Sequence, residues 1–246
     1  MKANYKMIIQ YDGSRFYGWQ RQPNQDTVQG RIENVLSRMC DMELEVIGAG
    51  RTDAGVHAKG MVANVVLDTE LSAEEIRDYL NRYLPDDIAV LKVQQASPRF
   101  HARYNAIGKT YQYTCYDGIV KNVFERKYMW RLDQSPDIER MKEAAEVLLG
   151  EHDFRNFCVN PRMKKSTVRK VDKLLIERNG DKIVFTIHGT GFLQNMVRII
   201  VGTLIEVGCG RLGKEDVQGA LEAKDRQKAG PTAPPQGLCM MQVDYD

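Results

Sequence analysis

At residues 48–58 the chain reads Gly-Ala-Gly-Arg-Thr-Asp-Ala-Gly-Val-His-Ala. Three glycines within eight residues allow the backbone to turn tightly and to approach a ligand closely. Apolar-leaning runs precede this stretch at residues 44–47 and follow it at residues 61–67. The pattern therefore predicts a loop that joins two strands and presents a cation, a hydroxyl and a carboxylate.

The loop differs from the common phosphate-binding motifs. A dinucleotide-binding fingerprint has glycine at the place of Asp53, and a P-loop has Lys-Ser or Lys-Thr at the place of Val56-His57. With a carboxylate close to a guanidinium, Asp53 could act as a nucleophile or base. Arg51 could then bind a phosphate or enter a nucleic-acid stack. The simpler alternative is an Asp-capped glycine turn with a surface ion pair.

The pattern around this loop predicts a ferredoxin-like first half, β-α-β-β-α-β, over residues 1–104. Thr27 is placed to cap the first helix, and Ser72 with Glu75 forms a capping box for the second. The predicted strands lie at residues 5–11, 43–47, 61–67 and 88–95.

Residues 105–246 repeat this pattern. Ser135 is placed to cap a helix, Asn179-Gly180 predicts a hairpin, and Gly191 opens an apolar helix that ends near Val207. The remaining predicted strands are 109–116 and 238–245. Two α+β, RRM-like halves predict one continuous antiparallel sheet, with helices on one face and a central cleft on the other.

The composition of the chain is that of a globular protein without a membrane span. The chain has 246 residues, 43% of them hydrophobic and 28% charged, with no apolar run near the ~20 residues of a membrane span. A strand pattern begins within the first residues, so we expect a cytoplasmic protein. The net charge of +2 is compatible with RNA binding but does not argue for it. The five cysteines and four histidines are scattered, which predicts free thiols and no metal site.

Six segments of the chain together resemble the tRNA pseudouridine synthase A family. The most specific is Gly50–His57, which resembles the family's signature loop. The others are Tyr11–Gly13 with Phe16–Gln22, Thr27–Gly30, Phe100–Arg103, Lys109–Tyr113 and Phe192–Arg198.

The resemblance implies the pseudouridine synthase fold, a homodimer and isomerisation of uridine in the tRNA anticodon stem-loop, at positions 38–40 of the tRNA, without a cofactor. It implies that Asp53 is catalytic and that Arg51 enters the RNA helix or contacts phosphate. It also implies that Tyr111 stacks on the uracil and that Arg198 forms a salt bridge with Asp53. Phe192 and Met196 are expected to line the pocket, although an apolar helix residue is equally suited to the core.

The reaction breaks the bond from ribose C1′ to uracil N1, rotates the base and rejoins it through C5. Bond cleavage develops positive charge at the sugar, which a carboxylate stabilises or traps. Whether Asp53 attacks the ribose, adds to the base or assists elimination to a glycal stays open at this point. Only one acidic residue matches the family's site, whereas a glycosidase generally uses two.

Three alternatives remain. One is a non-catalytic RNA-binding protein on the same fold, and another is a glycosidase or nucleoside-processing enzyme for small molecules. The third is a paralogous synthase with a different RNA target. Exposed basic residues are equally suited to phosphate contact and to a solvated surface, namely Arg15, Arg21, Lys59, Arg103 and the run at 162–165.

Overall fold

The structure is a computed structural model that describes residues 2–160, 166–222 and 226–246, and it confirms the α+β class. The chain divides into two compact units. Unit 1 comprises Met1–Ile107 and Cys239–Asp246, and unit 2 comprises Gly108–Leu238. The division predicted from the sequence, at residue 104, placed residues 239–246 in the second half, whereas the structure groups them with unit 1.

Unit 1 has the predicted β-α-β-β-α-β order, followed by a strand from the end of the chain. Its sheet runs β4-β1-β3-β10, and the two-residue β2 also pairs with β3. Its elements are β1 (Lys2–Tyr11), α1 (Val28–Cys40), β2 (Ile47–Gly48), β3 (His57–Asp68), α2 (Ala73–Tyr83), β4 (Ile88–Ala96) and β10 (Leu238–Tyr245).

Both helix caps predicted in unit 1 are confirmed. Thr27 Oγ1 accepts a hydrogen bond from Gly30 N at the start of α1. Ser72 and Glu75 form a complete capping box, in which each side chain bonds the other residue's backbone amide. These caps fix where the helices begin, because they satisfy amides that have no partner within the helix.

Unit 2 has the order β-β-α-β-β-β-α-α, which is the predicted β-α-β-β-α pattern with β6, β7 and α5 added. Its sheet runs β5-β9-β8-β7 with β6 beside β5. The hairpin predicted at Asn179-Gly180 is confirmed, since Asn179 pairs with Lys182. The elements are β5 (Ala106–Tyr116), β6 (Trp130–Arg131), α3 (Ile138–Ala145), β7 (Gly150–Asp153), β8 (Val168–Asn179), β9 (Lys182–Gly189), α4 (Met196–Gly208) and α5 (Lys214–Glu222).

Three local predictions are wrong. The pairing is not antiparallel throughout, because β10 runs parallel to β3 and β6 runs parallel to β5. Asp137 rather than Ser135 caps α3, since its carboxylate accepts from two backbone amides. The apolar helix begins at Met196 rather than Gly191, because Asn195 adopts a left-handed conformation (φ 61°) that a helix cannot contain.

The five cysteines are free in the structure. In the described part of the chain, no helix has the length and apolar character needed to cross a membrane.

Candidate active site

The loop at residues 49–56 connects β2 to β3, and we call it the Asp53 loop. Its centre is anchored by Thr52, whose Oγ1 lies 2.8 Å from the Tyr11 hydroxyl; both side chains are buried. Val56 N donates to Asp53 O over 3.1 Å. Because Thr52 points inward, the residues on either side of it reach solvent: Asp53 is half-buried and Arg51 is exposed.

A second segment, residues 13–19, braces the Asp53 loop through its backbone. Trp19 N donates to Thr52 O over 3.1 Å, and Gly55 N donates to Phe16 O over 3.3 Å. Trp19 O in turn accepts from Gln29 N, in the first turn of α1. The loop is therefore tied to α1 through one buried tryptophan, which orders its backbone before any ligand binds.

Gly18 allows the two segments to lie this close together. Its φ is +92°, and a Cβ at this position would lie 2.6 Å from Thr52 O and 3.1 Å from the carbonyl carbon of Asp53. A side chain here would therefore collide with the backbone that carries the carboxylate. The sequence contained Gly18 as a motif residue, but the contact depends on a partner 34 positions away and no local pattern indicates it.

His57 is a structural residue in this region. Gly13 N donates to His57 Nδ1 over 2.9 Å, and Asp12 Oδ1 lies 3.2 Å from the same nitrogen. The imidazole therefore ties the start of β3 to the backbone of the segment that braces the Asp53 loop. The side chain of His57 is buried, which agrees with a structural role.

The pairing of Tyr11 with Thr52 gives a testable prediction. Tyr11→Phe removes a hydroxyl partner from buried Thr52 and should lower the free energy of unfolding by about 1–2 kcal/mol. Thr52→Val should cost a similar amount. The double variant should lose less free energy of unfolding than the sum of the two single variants. Each single variant leaves one buried hydroxyl without its partner, whereas the double variant removes both hydroxyls together. Urea unfolding of the four proteins measures the coupling, and strict additivity would contradict the pairing.

In unit 2, Tyr111 lies on β5 opposite Ile187, and its ring contacts the half-buried Phe192 edge-on. The ring centroids are 5.3 Å apart at an interplanar angle of 87°. Tyr113 follows on the same face of the strand and is fully buried. Its hydroxyl donates a hydrogen bond to Pro234 O over 2.7 Å. Burial raises the pKa of Tyr113 well above its usual value, so its hydroxyl stays protonated.

Arg198 is fixed by three contacts at the start of α4. Its Nε donates to Ala233 O over 2.7 Å, and its Nη1 donates to Asn195 Oδ1 over 2.7 Å. Ala233 N also donates to the backbone carbonyl of Arg198 over 3.1 Å. The guanidinium is thus oriented by its surroundings, whereas a charged residue on an apolar helix commonly extends toward solvent.

The segment at residues 230–233 that holds Arg198 lies directly against α4. A Cβ on Gly202 would lie 1.9 Å from Pro231 O, so only glycine permits this approach. Gly230 N donates to Thr203 Oγ1 over 2.9 Å. No sequence pattern indicated this contact, because Gly202 looks like an ordinary member of an apolar helix.

The predicted site residues therefore lie in two groups. Asp53 and Arg51 lie on one loop of unit 1. In unit 2, Tyr111 contacts Phe192, and Arg198 contacts Asn195 and Ala233. Met196 occupies the first turn of α4 and is fully buried.

The basic residues considered for phosphate contact differ in their surroundings. Arg15 bonds Asp26 and Asp87, and Arg21 lies 3.4 Å from a carboxylate oxygen of buried Glu33. Lys59 and Arg103 are exposed. The basic run at residues 162–165 lies outside the described residues. Within residues 2–160, 166–222 and 226–246, no group of three or more His, Cys, Asp or Glu side chains is arranged to hold a metal ion.

A family profile described as tRNA pseudouridine synthase matches residues 7–105 and 144–246. The chain is 46% identical to "tRNA pseudouridine synthase A 2" of Bacillus cereus (strain ZK / E33L), over 98% of this chain and 99% of that protein. It is 48% identical to tRNA pseudouridine synthase A of Bacillus sp. (strain KSM-64), over 92% and 93%. It is 43% identical to the protein of that name from Thermoanaerobacter sp. (strain X514), over 98% and 99%.

Proposed function

Because the chain belongs to the tRNA pseudouridine synthase family and has that family's α+β fold, we propose that it isomerises uridine to pseudouridine in tRNA. The observation that carries the proposal is the Asp53 loop, a half-buried carboxylate on a backbone braced at Thr52 and Gly55. The anticodon stem-loop, positions 38–40 of the tRNA, is the proposed target. Uridine and pseudouridine are isomers, so the reaction consumes neither an oxidant nor an energy source.

We assign the catalytic role to Asp53. Cleavage of the bond from C1′ to N1 leaves positive charge at the ribose, and a carboxylate beside it lowers the barrier by stabilising or trapping that charge. The brace from residues 13–19 supports this role, since a carboxylate acts most effectively when its position is set before the substrate arrives.

Arg51 is assigned to the RNA. It is exposed, and within the described residues its side chain makes no hydrogen bond or ion pair. The loop is braced instead by backbone hydrogen bonds from residues 13–19, which leaves the Arg51 side chain available to a ligand. An arginine next to the catalytic residue is suited to bind a phosphate or to occupy the space of a base that has left the stack.

Tyr111 is assigned to stacking on the target uracil, and its edge-on contact with Phe192 supports this by orienting the ring. Phe192 and Met196 are assigned to the lining of the pocket. Arg198 is assigned as the partner of the Asp53 carboxylate, which keeps that group ionised. Its contacts with Asn195 and Ala233 support the assignment, because they orient the guanidinium.

Arg198→Met should lower kcat by roughly tenfold to 100-fold, since the carboxylate loses the group that positions it. Arg198→Lys should recover only part of this loss, because one ammonium cannot reproduce the planar fork that meets Asn195 and Ala233. Arg226→Met is the matched control: Arg226 donates to the carbonyls of Ala229 and Gly230 in the same segment. The control should lower the melting temperature with much less effect on kcat. Equal losses of kcat and melting temperature in both methionine variants would mark Arg198 as structural.

The test of the proposed function is release of tritium from tRNA that carries 5-tritiated uridine. Rejoining the base through C5 expels that hydrogen, so wild-type protein should release tritium without added cofactor or metal, and Asp53→Ala should not. Release from neither protein, with tRNA still bound, would favour the non-catalytic RNA-binding alternative. Release from both would overturn the assignment of Asp53.

A homodimer and a cytoplasmic location are part of the same proposal. Both follow from the family resemblance and from a tRNA substrate. Light scattering on the purified protein measures the first, and a mass of about 28 kDa, that of one chain, would contradict it.

A further inference from the structure

The loop between β5 and β6 carries an unusual exposed apolar surface. Five large apolar residues within ten positions are exposed, and two of them are almost fully so: Ile119 at 96% and Phe124 at 90%. The other three are Val120, Val123 and Tyr128. The family profile matches residues 7–105 and 144–246, so it assigns nothing to this loop. We call residues 119–131 the β5–β6 segment.

The β5–β6 segment is held by its own hydrogen bonds. Tyr116, at the end of β5, donates its hydroxyl to Val120 O over 2.6 Å. Asn122 and Glu125 bond each other twice, and Lys182 of β9 donates to the second carboxylate oxygen of Glu125 over 2.7 Å. The exposed side chains therefore project from a fixed backbone, which distinguishes the segment from a disordered turn.

The charge of the segment points to a polyanion. It contains four cations against the single carboxylate of Glu125, which is already bonded to Lys182. The whole chain of 246 residues has a net charge of only +2. The four cations are Lys121, Arg126, Lys127 and Arg131.

We propose that the β5–β6 segment is an RNA-docking surface, on which an unpaired base of the tRNA stacks against Phe124 while the neighbouring cations bind phosphates. The inference rests on the proposed function, which supplies the tRNA. Exposed aromatic rings flanked by Lys and Arg are the combination that holds unstacked bases and their backbone. A second copy of the chain fits less well, since a two-fold interface would place this positive segment against itself.

The first test replaces Phe124. Because its side chain is exposed, Phe124→Ala should leave the melting temperature unchanged while it weakens binding of an unmodified tRNA transcript by about tenfold. Phe124→Tyr should bind as wild type, and Phe124→Leu should behave as the alanine variant, since leucine keeps apolar area without a ring. Tyr83→Ala, at an exposed tyrosine of α2, is the control and should bind as wild type.

The second test removes charge. Lys121→Gln with Lys127→Gln should weaken tRNA binding and reduce the slope of log Kd against log salt concentration by roughly 1 to 2, as phosphate contacts are lost. Lys142→Gln with Lys214→Gln removes the same charge from exposed residues of α3 and α5 and should change the slope much less.

The outcomes separate this inference from the proposed function. Wild-type tritium release together with wild-type tRNA affinity in Phe124→Ala would overturn the docking surface alone. Recovery of binding by Phe124→Leu would overturn stacking, and a change of oligomeric mass with unchanged tRNA affinity would identify a protein interface instead. If wild type releases no tritium but binds tRNA, the binding measurements still decide the inference. If wild type does not bind tRNA at all, both fail.

Discussion

Asp53→Asn is expected to abolish turnover, by roughly 10⁴-fold or more, while binding of tRNA stays nearly intact. The substitution keeps the size of the side chain and removes its negative charge, so only the group that stabilises or traps the ribose is lost. The backbone hydrogen bonds of the loop at Thr52 and Gly55 do not involve this side chain. Tritium release and tRNA affinity should be measured on the same preparation.

Asp78→Asn serves as the control. Asp78 is an exposed carboxylate on α2 of the same unit, bonded to Arg77, and its neutralisation should leave turnover unchanged. Near-normal turnover in Asp53→Asn would mean that a different group carries the reaction. A large loss of tRNA affinity in that variant would mean that Asp53 is needed for binding.

Gly18→Ala is expected to have the second largest effect, because it acts on the backbone that carries Asp53. The new Cβ would lie 2.6 Å from Thr52 O in a backbone conformation, φ +92°, that alanine rarely adopts. The collision and the strain should together cost roughly 2–3 kcal/mol and lower the melting temperature by about 5–10 °C. Displacement of the loop by about 1 Å should also reduce kcat by on the order of 100-fold.

Gly219→Ala is the matched control for this substitution. Gly219 lies within α5, and a Cβ there would meet no atom within 4 Å. Alanine favours a helix interior over glycine by about 0.5–1 kcal/mol, so this variant should be slightly more stable and fully active. Wild-type melting temperature and turnover in Gly18→Ala would show that the segments at residues 13–19 and 49–56 are not in tight contact.

The sequence correctly predicted those features that depend on residues a few positions apart in the chain. Thr27 at the start of α1 and the Ser72–Glu75 capping box depend on residues three positions apart, and both are confirmed. The start of α4 was placed five residues too early, because Phe192 and Leu193 resemble a first apolar turn whereas Asn195 adopts a left-handed conformation just before the helix. Composition does not encode that conformation, since most asparagines are not left-handed.

For the candidate site, the sequence indicated the charged residues but not the backbone contacts that hold them. Asp53 and Arg51 were indicated by charged residues placed between glycines, and their exposure matches that pattern. The groups that hold the site in place were not indicated: Trp19 binds Thr52 through its backbone, and Ala233 holds Arg198 through a carbonyl. Backbone contacts over such sequence distances do not depend on a side-chain type, so no residue pattern reveals them.

The parallel pairing of β10 with β3 has a consequence for synthesis of the chain. Cys239 and Met240 pair with His57 and Ala58, directly after the Asp53 loop. Unit 2, residues 108–238, is made entirely between these two partners. During translation, the edge of β3 beside the Asp53 loop therefore stays open until residues 239–240 have left the ribosome. The braces from Tyr11 and Trp19 are present long before then, so the loop can take shape early while the last edge of its sheet closes at the end.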